Sequence, residues 1–438
     1  MGGVDRQIMR LALPSIISNI TVPLLGLVDV AIVGHMGSAV YIGAISIGSM
    51  IFNILYWVFG FLRMGTSGMT SQALGRRDLT AVTQLAVRAM AVGLVVAVAI
   101  LVLQVPIKQG ALLFLHPETE ILHLASAYFN ICVWGAPAML TLYALSGWYV
   151  GMQNTRFPMA ISITQNIINI GASLMLVYGL GMKVEGVALG TLIAQYAGVA
   201  MALFLLFRYY GRLRIHFKSK GLFDYVKMLD FFKVNSDIFL RTLCLVAVNF
   251  YFLAAGSRQG GVVLAVNTLL MQLYILFSYV VDGFAFAGEA MSGKCLGAGN
   301  MGALRNTVRR VFFWGVVVAL AFTLVYALGG QRFLALLTNE RQVVEAAAEY
   351  FPWAVAVPLA GVAAFVWDGI FIGTTATRGM LLSSAIATAV FFVLFIVLRD
   401  SLGNHALWLA FVVYLFARGV VQTGLWKRKY QCCFSVKM

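Results

Sequence analysis

The chain has 438 residues, 61% hydrophobic and only 11% charged, with a mean hydropathy of +0.90. A soluble domain is about 45–50% apolar and about 25% charged, so this composition excludes a water-soluble globule and points to a bilayer as solvent. The formal charge of +15 does not indicate a nucleic-acid partner, because the Lys and Arg residues sit between long apolar runs, where they set membrane topology.

A span needs roughly 20 apolar residues. In chain order, spans are predicted at 11–34, 41–63, 84–107, 121–149, 158–180, 185–207, 234–257, 262–287, 309–330, 343–372, 379–398 and 405–426. The first run is too long for a signal-peptide core and no small-residue cleavage site follows it, so it is read as a retained span. The fold class expected is all-α, a polytopic protein of twelve transmembrane helices. Basic residues crowd alternate loops: Arg76 and Arg77, Arg156, seven Lys or Arg within 208–233, Lys294 and Arg305, Arg378, and Lys427 to Lys429. The opposite side carries only Lys108, Lys183, Arg258, Arg332, Arg341 and Arg399. This bias never reverses, which predicts cytoplasmic N- and C-termini.

A shift of 222 residues matches the sequence to itself. Gly34 falls on Gly256, Leu74-Gly75 on Leu296-Gly297, and Arg88 on Arg310. Tyr128-Phe129 falls on Tyr350-Phe351, Gly147 on Gly369, Gly151 on Gly373, and Thr155-Arg156 on Thr377-Arg378. Apolar coincidences are cheap in such a chain, but matched Gly, Arg and Tyr-Phe positions are not. The expected organisation is an N-lobe at 1–207 and a basic linker at 208–233, then a C-lobe at 234–426 and a tail at 427–438. Six spans per half is even, so the halves are parallel copies with a pseudo-two-fold axis along the membrane normal, a design suited to a transporter.

An acid at mid-bilayer costs about 2.5–3.5 kcal/mol on insertion scales, so the span acids are candidates for function. They are Asp29 in the first span, Asp282 and Asp368 in the second half, and Glu289 nearer a helix end. Pro14 and Pro23 each remove a backbone donor from the first span, which lets that helix bend. Span 5 carries Ser162, Asn166, Asn169 and Ser173 on one stripe. These side chains either line a cavity facing Asp29 or bond helix to helix. Span 8 carries Asn267, Tyr274, Ser278 and Asp282 on one stripe. The acids do not repeat under the shift: Asp29 matches Tyr251, Asp282 matches Gly60 and Asp368 matches Ser146. Asp282 and Asp368 are either functional or paired structurally with Arg241 or Arg63.

Signatures of catalysis are missing: there is no GxSxG, HExxH or Walker A lysine motif, and the isolated His116-Pro-Glu reads as a solvated turn. The five cysteines form no metal-ligand spacing, so free thiols and no metal site are expected. Adjacent Cys432 and Cys433 in the tail are an acylation candidate.

Four segments together resemble the multidrug and toxic compound extrusion (MATE) transporters, and most strongly their bacterial DNA-damage-inducible protein F branch. They are Gly26-Leu-Val-Asp29-Val-Ala-Ile-Val-Gly34-His35-Met-Gly37, Asp282-Gly-Phe-Ala-Phe-Ala-Gly-Glu289, Asp368-Gly-Ile-Phe-Ile-Gly373-Thr and Leu402-Gly-Asn-His-Ala-Leu-Trp-Leu409. The likeness covers essentially the whole chain. It implies two six-helix bundles around a V-shaped cavity in a bacterial inner membrane, and export driven by inward flow of protons or sodium. It also implies that Asp29 couples to the cation, that the first helix bends at Pro14, and that Asn169 and Thr191 accompany the acid. The family often places a second acid where this chain has Ser173. With one carboxylate there, a proton is the expected coupling ion and sodium the alternative.

The expected function is thus antiport of amphipathic or cationic organic compounds, with no cofactor, by a monomer whose partners are its small-molecule substrate and the lipid bilayer. The rival from the same superfamily is a flippase for lipid-linked precursors. It is opposed by the scarcity of span arginines: only Arg63, Arg241 and Arg418, all toward the cytoplasmic ends. The rival from another class, an intramembrane enzyme, is opposed by the missing motifs and by the duplication.

Overall fold

Apolar stretches of this length fold as helices because a bilayer offers no water to unpaired backbone groups. The computed structural model describes residues 2–34, 39–115, 118–337 and 340–434. The His116-Pro117 turn and the side chains of Cys432 and Cys433 lie outside the described residues. The first half contains α1 (Gly3–Gly34), α2 (Ala39–Phe59), α3 (Phe61–Gly75), α4 (Leu79–Val102) and α5 (Gln104–Leu115). It continues with α6 (Thr119–Cys132), α7 (Ala136–Gly151), α8 (Arg156–Leu174) and α9 (Val184–Tyr210). The second half contains α10 (Tyr225–Ser257), α11 (Gly261–Gly297), α12 (Met301–Leu337), α13 (Arg341–Gly373), α14 (Thr377–Leu402) and α15 (Asn404–Phe434). Eleven helical stretches among the described residues are long and apolar enough to cross a bilayer. With α1 they make the twelve helices of a two-bundle membrane fold.

Several helices outrun the predicted spans. α11 has 37 residues, about 55 Å at 1.5 Å per residue, so it extends beyond a hydrocarbon layer of about 30 Å; α12 is broken by a kink at Gly330, where φ is 48°. The basic connection between the halves is partly helical too, since a 3₁₀ segment at Gly211–His216 follows α9 and α10 starts at Tyr225.

The matched glycines have a common physical cause. A Cβ on Gly147 of α7 would collide with the backbone carbonyl of Arg63 on α3, and one on Gly369 of α13 with that of Ala285 on α11. One turn later, Gly151 lies against the Ser67 carbonyl and Gly373 against the Glu289 carbonyl. Each second contact set is the first shifted by 222 residues. The duplication therefore repeats one close helix crossing, at which backbone meets backbone.

The halves differ in continuity. The second span breaks at Gly60, between α2 and α3, and the fourth at a 3₁₀ turn, Val133–Gly135, just ahead of Pro137. Their counterparts α11 and α13 are unbroken, although α13 contains Pro352 and Pro358.

Two compact units emerge, each with its own apolar core. One comprises Ile17–Phe231; the other comprises Met1–Ile16 together with Phe232–Met438. In the first, Phe52, Phe129, Leu145, Trp148 and Tyr149 are buried. In the second, the fully buried set includes Phe252, Phe391, Trp408 and Phe411.

Candidate functional site

Asp29 lies on the part of α1 that belongs to the Ile17–Phe231 unit. It is 6% exposed, and its Oδ1 has no hydrogen-bond partner among the described residues. Its charge is felt by Tyr128 and Cys132 on α6. Tyr128 is within 3.3 Å of the Ser49 hydroxyl on α2, and Cys132 donates to the Ala188 carbonyl on α9 at 3.8 Å.

Helix α8 runs beside α1, and the polar stripe divides along that contact. Ser162 Oγ lies 3.0 Å from Thr21 Oγ1, and Asn166 Nδ2 donates to the Thr21 carbonyl at 2.9 Å. Further along, the Tyr178 hydroxyl donates to the Ile32 carbonyl at 3.0 Å. The two backbone ties pair residues 145 and 146 positions apart. The helices therefore keep register between them, and Asp29 comes level with Leu174 and Met175, within a turn of Ser173. Ser162 and Asn166 hold the two helices together below that level.

The other half of the stripe does something else. Asn169 and Ser173 are fully buried. Asn169 Nδ2 donates to Thr191 Oγ1 on α9 at 3.0 Å, which leaves Asn169 Oδ1 without a partner, and Ser173 Oγ has none either. Ser173 is brought against α9 by Gly190, where a Cβ would collide with the serine's backbone. A buried polar atom left unpaired costs about 1–3 kcal/mol. Asp29, Asn169 and Ser173 thus each contribute one such oxygen, on a carboxylate, an amide and a hydroxyl. Together they can take a proton or face a cation. Pro14, in contrast, lies in the buried foot of α1 that belongs to the other unit.

Of the second-half candidates, Asp368 and Asn267 sit among filled partners. Asp368, also 6% exposed, accepts from Arg241 and from Arg418 on one oxygen, and from Gln422 Nε2 at 2.7 Å on the other. Asn267 is paired amide to amide with Asn404 at 2.8 and 2.9 Å, and also accepts from Trp408 Nε1 at 2.9 Å. Tyr274 packs its ring against Phe411 and Phe365. Asp282 is half-buried and within electrostatic range of Arg241 and Tyr274. Glu289 is fully buried on α11, where its carbonyl lies under Gly373. Among the described residues no cluster of His, Cys, Asp and Glu could hold a metal ion.

The sequence did not single out Thr21, Tyr178 or Gln422. Gln422 carried a usable signal: Arg418 and Gln422 lie at i and i+4 on an apolar helix, and a span arginine needs a partner on the same face. Thr21 and Tyr178 act on backbone carbonyls, and nothing local marks that.

The protein-family pattern described as MatE matches residues 14–175 and 238–398. The DNA damage-inducible protein F of Escherichia coli (strain K12) is 38% identical over 431 residues, covering 98% of this chain and 93% of that relative. Two solved structures share the fold. An outward-facing conformation of a multidrug resistance MATE family transporter of the MOP superfamily has a TM-score of 0.88 at 18% identity, covering 99% of this chain and 97% of its own. A MATE in the bent conformation has a TM-score of 0.87 at 20% identity, covering 99% and 96%.

Proposed function

The chain belongs to the MatE family, and from that premise we propose that it is a secondary active antiporter that exports amphipathic or cationic organic compounds in exchange for protons. It is a multi-pass membrane transporter, not an enzyme. The proposal adds the direction, the substrate class and the coupling ion, and assigns the coupling to Asp29. One observation carries it: Asp29 is a buried carboxylate with an unpartnered oxygen, within a turn of the level of Ser173 on a neighbouring helix whose Asn169 and Ser173 also keep open acceptors. A carboxylate in that setting changes its hold on a cation when it gains a proton. Protonated from outside, Asp29 releases a cationic substrate; deprotonated from inside, it binds the next one. Coupling requires only that proton and substrate prefer different states of the protein.

A proton fits better than sodium. Sodium needs several oxygens, and the family's second acid is replaced by Ser173; Asn169 and Ser173 offer neutral oxygens only. The flippase reading is disfavoured because Arg241 and Arg418 are already engaged by Asp368. The proposed setting is a bacterial inner membrane, with both termini cytoplasmic, a monomer, lobes at 1–207 and 234–426, and the 208–233 linker and 427–438 tail inside the cell.

The test is uptake of fluorescent organic cations into proteoliposomes under imposed proton or sodium gradients. Uphill movement under a pH gradient alone is the expected result. Movement that requires sodium instead would reassign the ion. Scrambling of a lipid pyrophosphate with no response to cations would replace the function.

A further inference from the structure

The chain passes between its two compact units inside helices, not in loops. One crossing is within α1, between Ile16 and Ile17, and the other is within α10, between Phe231 and Phe232. The N-terminal foot of α1 thus belongs to the unit built from the second half of the sequence. The foot of α10 belongs to the unit built from the first half.

Each foot, or the chain leading into it, is held by polar contacts from the third span of its host. For α1, the buried Asp5 accepts from Trp314 Nε1 at 3.2 Å and lies 3.7 Å from Arg310 Nη1, both on α12. Beside them, Gly283 of α11 lets the Ala12 carbonyl and Ile16 approach, and Ile8, Leu11 and Ala12 are buried. For α10, the buried Arg88 of α4 donates at 3.0 and 2.6 Å to the carbonyl of Leu222, in the connection just ahead of the helix. Gln84, one turn earlier, donates to the Lys218 carbonyl at 2.8 Å and accepts from Lys227 at 3.4 Å. Phe231 is fully buried in the first-half core.

The two clamps sit on corresponding helices. Under the 222-residue shift Gly3 falls on Tyr225, the two helix starts, and Leu79 falls on Met301, the two clamp-helix starts. Arg88 falls on Arg310, and Asp5 falls on Lys227. The contacts differ: Asp5 meets Arg310, whereas Lys227 meets Gln84, whose counterpart under the shift is Asn306, one turn from Arg310 on the same helix. The crossing points also agree to within about two helical turns. Packing alone gives no reason for two helix ends to be exchanged symmetrically.

We propose that α1 and α10 are exchanged helices, each anchored at its N-terminal foot to the opposite half, with Asp5 and the Gln84–Arg88 pair as positioning residues. The anchors hold the feet still while the rest of each helix follows its own unit. Conformational change is then taken up as bending at the crossings, and in α1 the helix carries Pro14 just before that point. Because α1 also carries Asp29, the Asp5 clamp sets the fixed end of the lever on which the coupling carboxylate rides. The last point rests on the transport reading; the anchoring does not.

Hydrogen exchange tests the anchors without any transport assay. In Asp5→Asn, exchange across 3–16 should rise about tenfold while 17–34 keeps the parent rate. In Arg88→Gln, 217–231 should rise while 232–257 holds. Exchange that rises evenly along the whole of α1 or α10, or that does not change, overturns the proposal. Transport then tests the positioning role. In a background lacking the native cysteines, Asp5→Cys with Arg310→Cys should lose about tenfold in turnover, with dye affinity within about twofold of the parent. Bridging the pair with a reducible bis-methanethiosulfonate should restore turnover, and reduction should remove it again. A bridge that abolishes transport means the foot must detach, which overturns the proposal. If the parent moves no organic cation at all, the transport reading fails and the exchange pattern still decides the anchors.

Discussion

Asp29 and Asp368 are equally shielded, each 6% exposed, yet their surroundings are opposite in kind. Asp368 is surrounded by donors: two guanidiniums meet on one oxygen and an amide on the other. Asp29 has an oxygen that meets nothing, beside a helix whose own amide and hydroxyl oxygens are also open. A buried carboxylate with every lone pair engaged is fixed in one ionisation state. One with open lone pairs is free to exchange a proton or a cation. Burial by itself, which is all that an acid in an apolar span reveals, does not separate the two.

The same substitution at both positions should pull them apart. Asp368→Asn leaves two buried guanidiniums without their counter-charge, a loss of about 3–5 kcal/mol. It should appear as a large fall in thermal midpoint and folded yield in detergent. Replacing Arg241 and Arg418 by Met in the same protein should recover most of it. Asp29→Asn should leave the midpoint unchanged or slightly raised, since it removes an uncompensated buried charge. It should cut pH-driven uptake about a hundredfold, equivalent to about 2.7 kcal/mol in rate, and weaken the binding of cationic dyes, because the amide mimics the protonated acid that releases them. If Asp29→Asn still drove uphill export, the contrast between the two acids would lose its meaning.

A smaller effect addresses what the halves share. Gly147→Ala and Gly369→Ala each press a methyl against a backbone carbonyl that cannot swing away. Overpacking of this kind costs about 1–3 kcal/mol. The two losses should be similar in size, read as shifts in thermal midpoint. A strong effect in one half with none in the other would mean that the crossing was duplicated in sequence but not in packing.

These cases show what was legible in the sequence. Helices, their number and the repeat could be read because the bilayer forces one answer onto apolar runs and because Gly against a backbone tolerates nothing else. Candidate acids could be listed because charge in hydrocarbon is rare. Their division into Asp29 and Asp368 was only half visible. The pairing of Asp368 with Arg241 was one of two open readings, while the engagement of Arg418 and Gln422 depends on which faces of α10, α13 and α15 meet. The foot exchange was invisible, since a shift of 222 residues reports likeness between the halves and says nothing about which half a helix end joins.

The smallest expected effect concerns the polar stripe of α8, where the sequence left cavity lining and helix bonding open. Geometry divides the stripe at one turn: Asn166 bonds to α1 through the Thr21 carbonyl, whereas Asn169 spends its amide on Thr191 and keeps its oxygen open. Interhelical hydrogen bonds in membranes average about 0.6 kcal/mol. Asn166→Ala should therefore lower the thermal midpoint only slightly and leave the apparent affinity for organic cations unchanged. Asn169→Ala should weaken that affinity by several-fold at a comparable cost in midpoint. Equal losses of affinity at both positions would place the whole stripe in the site. No loss at either would make it helix bonding throughout, leaving Asp29 without its supporting oxygens and shifting the search for the substrate contact to other helices.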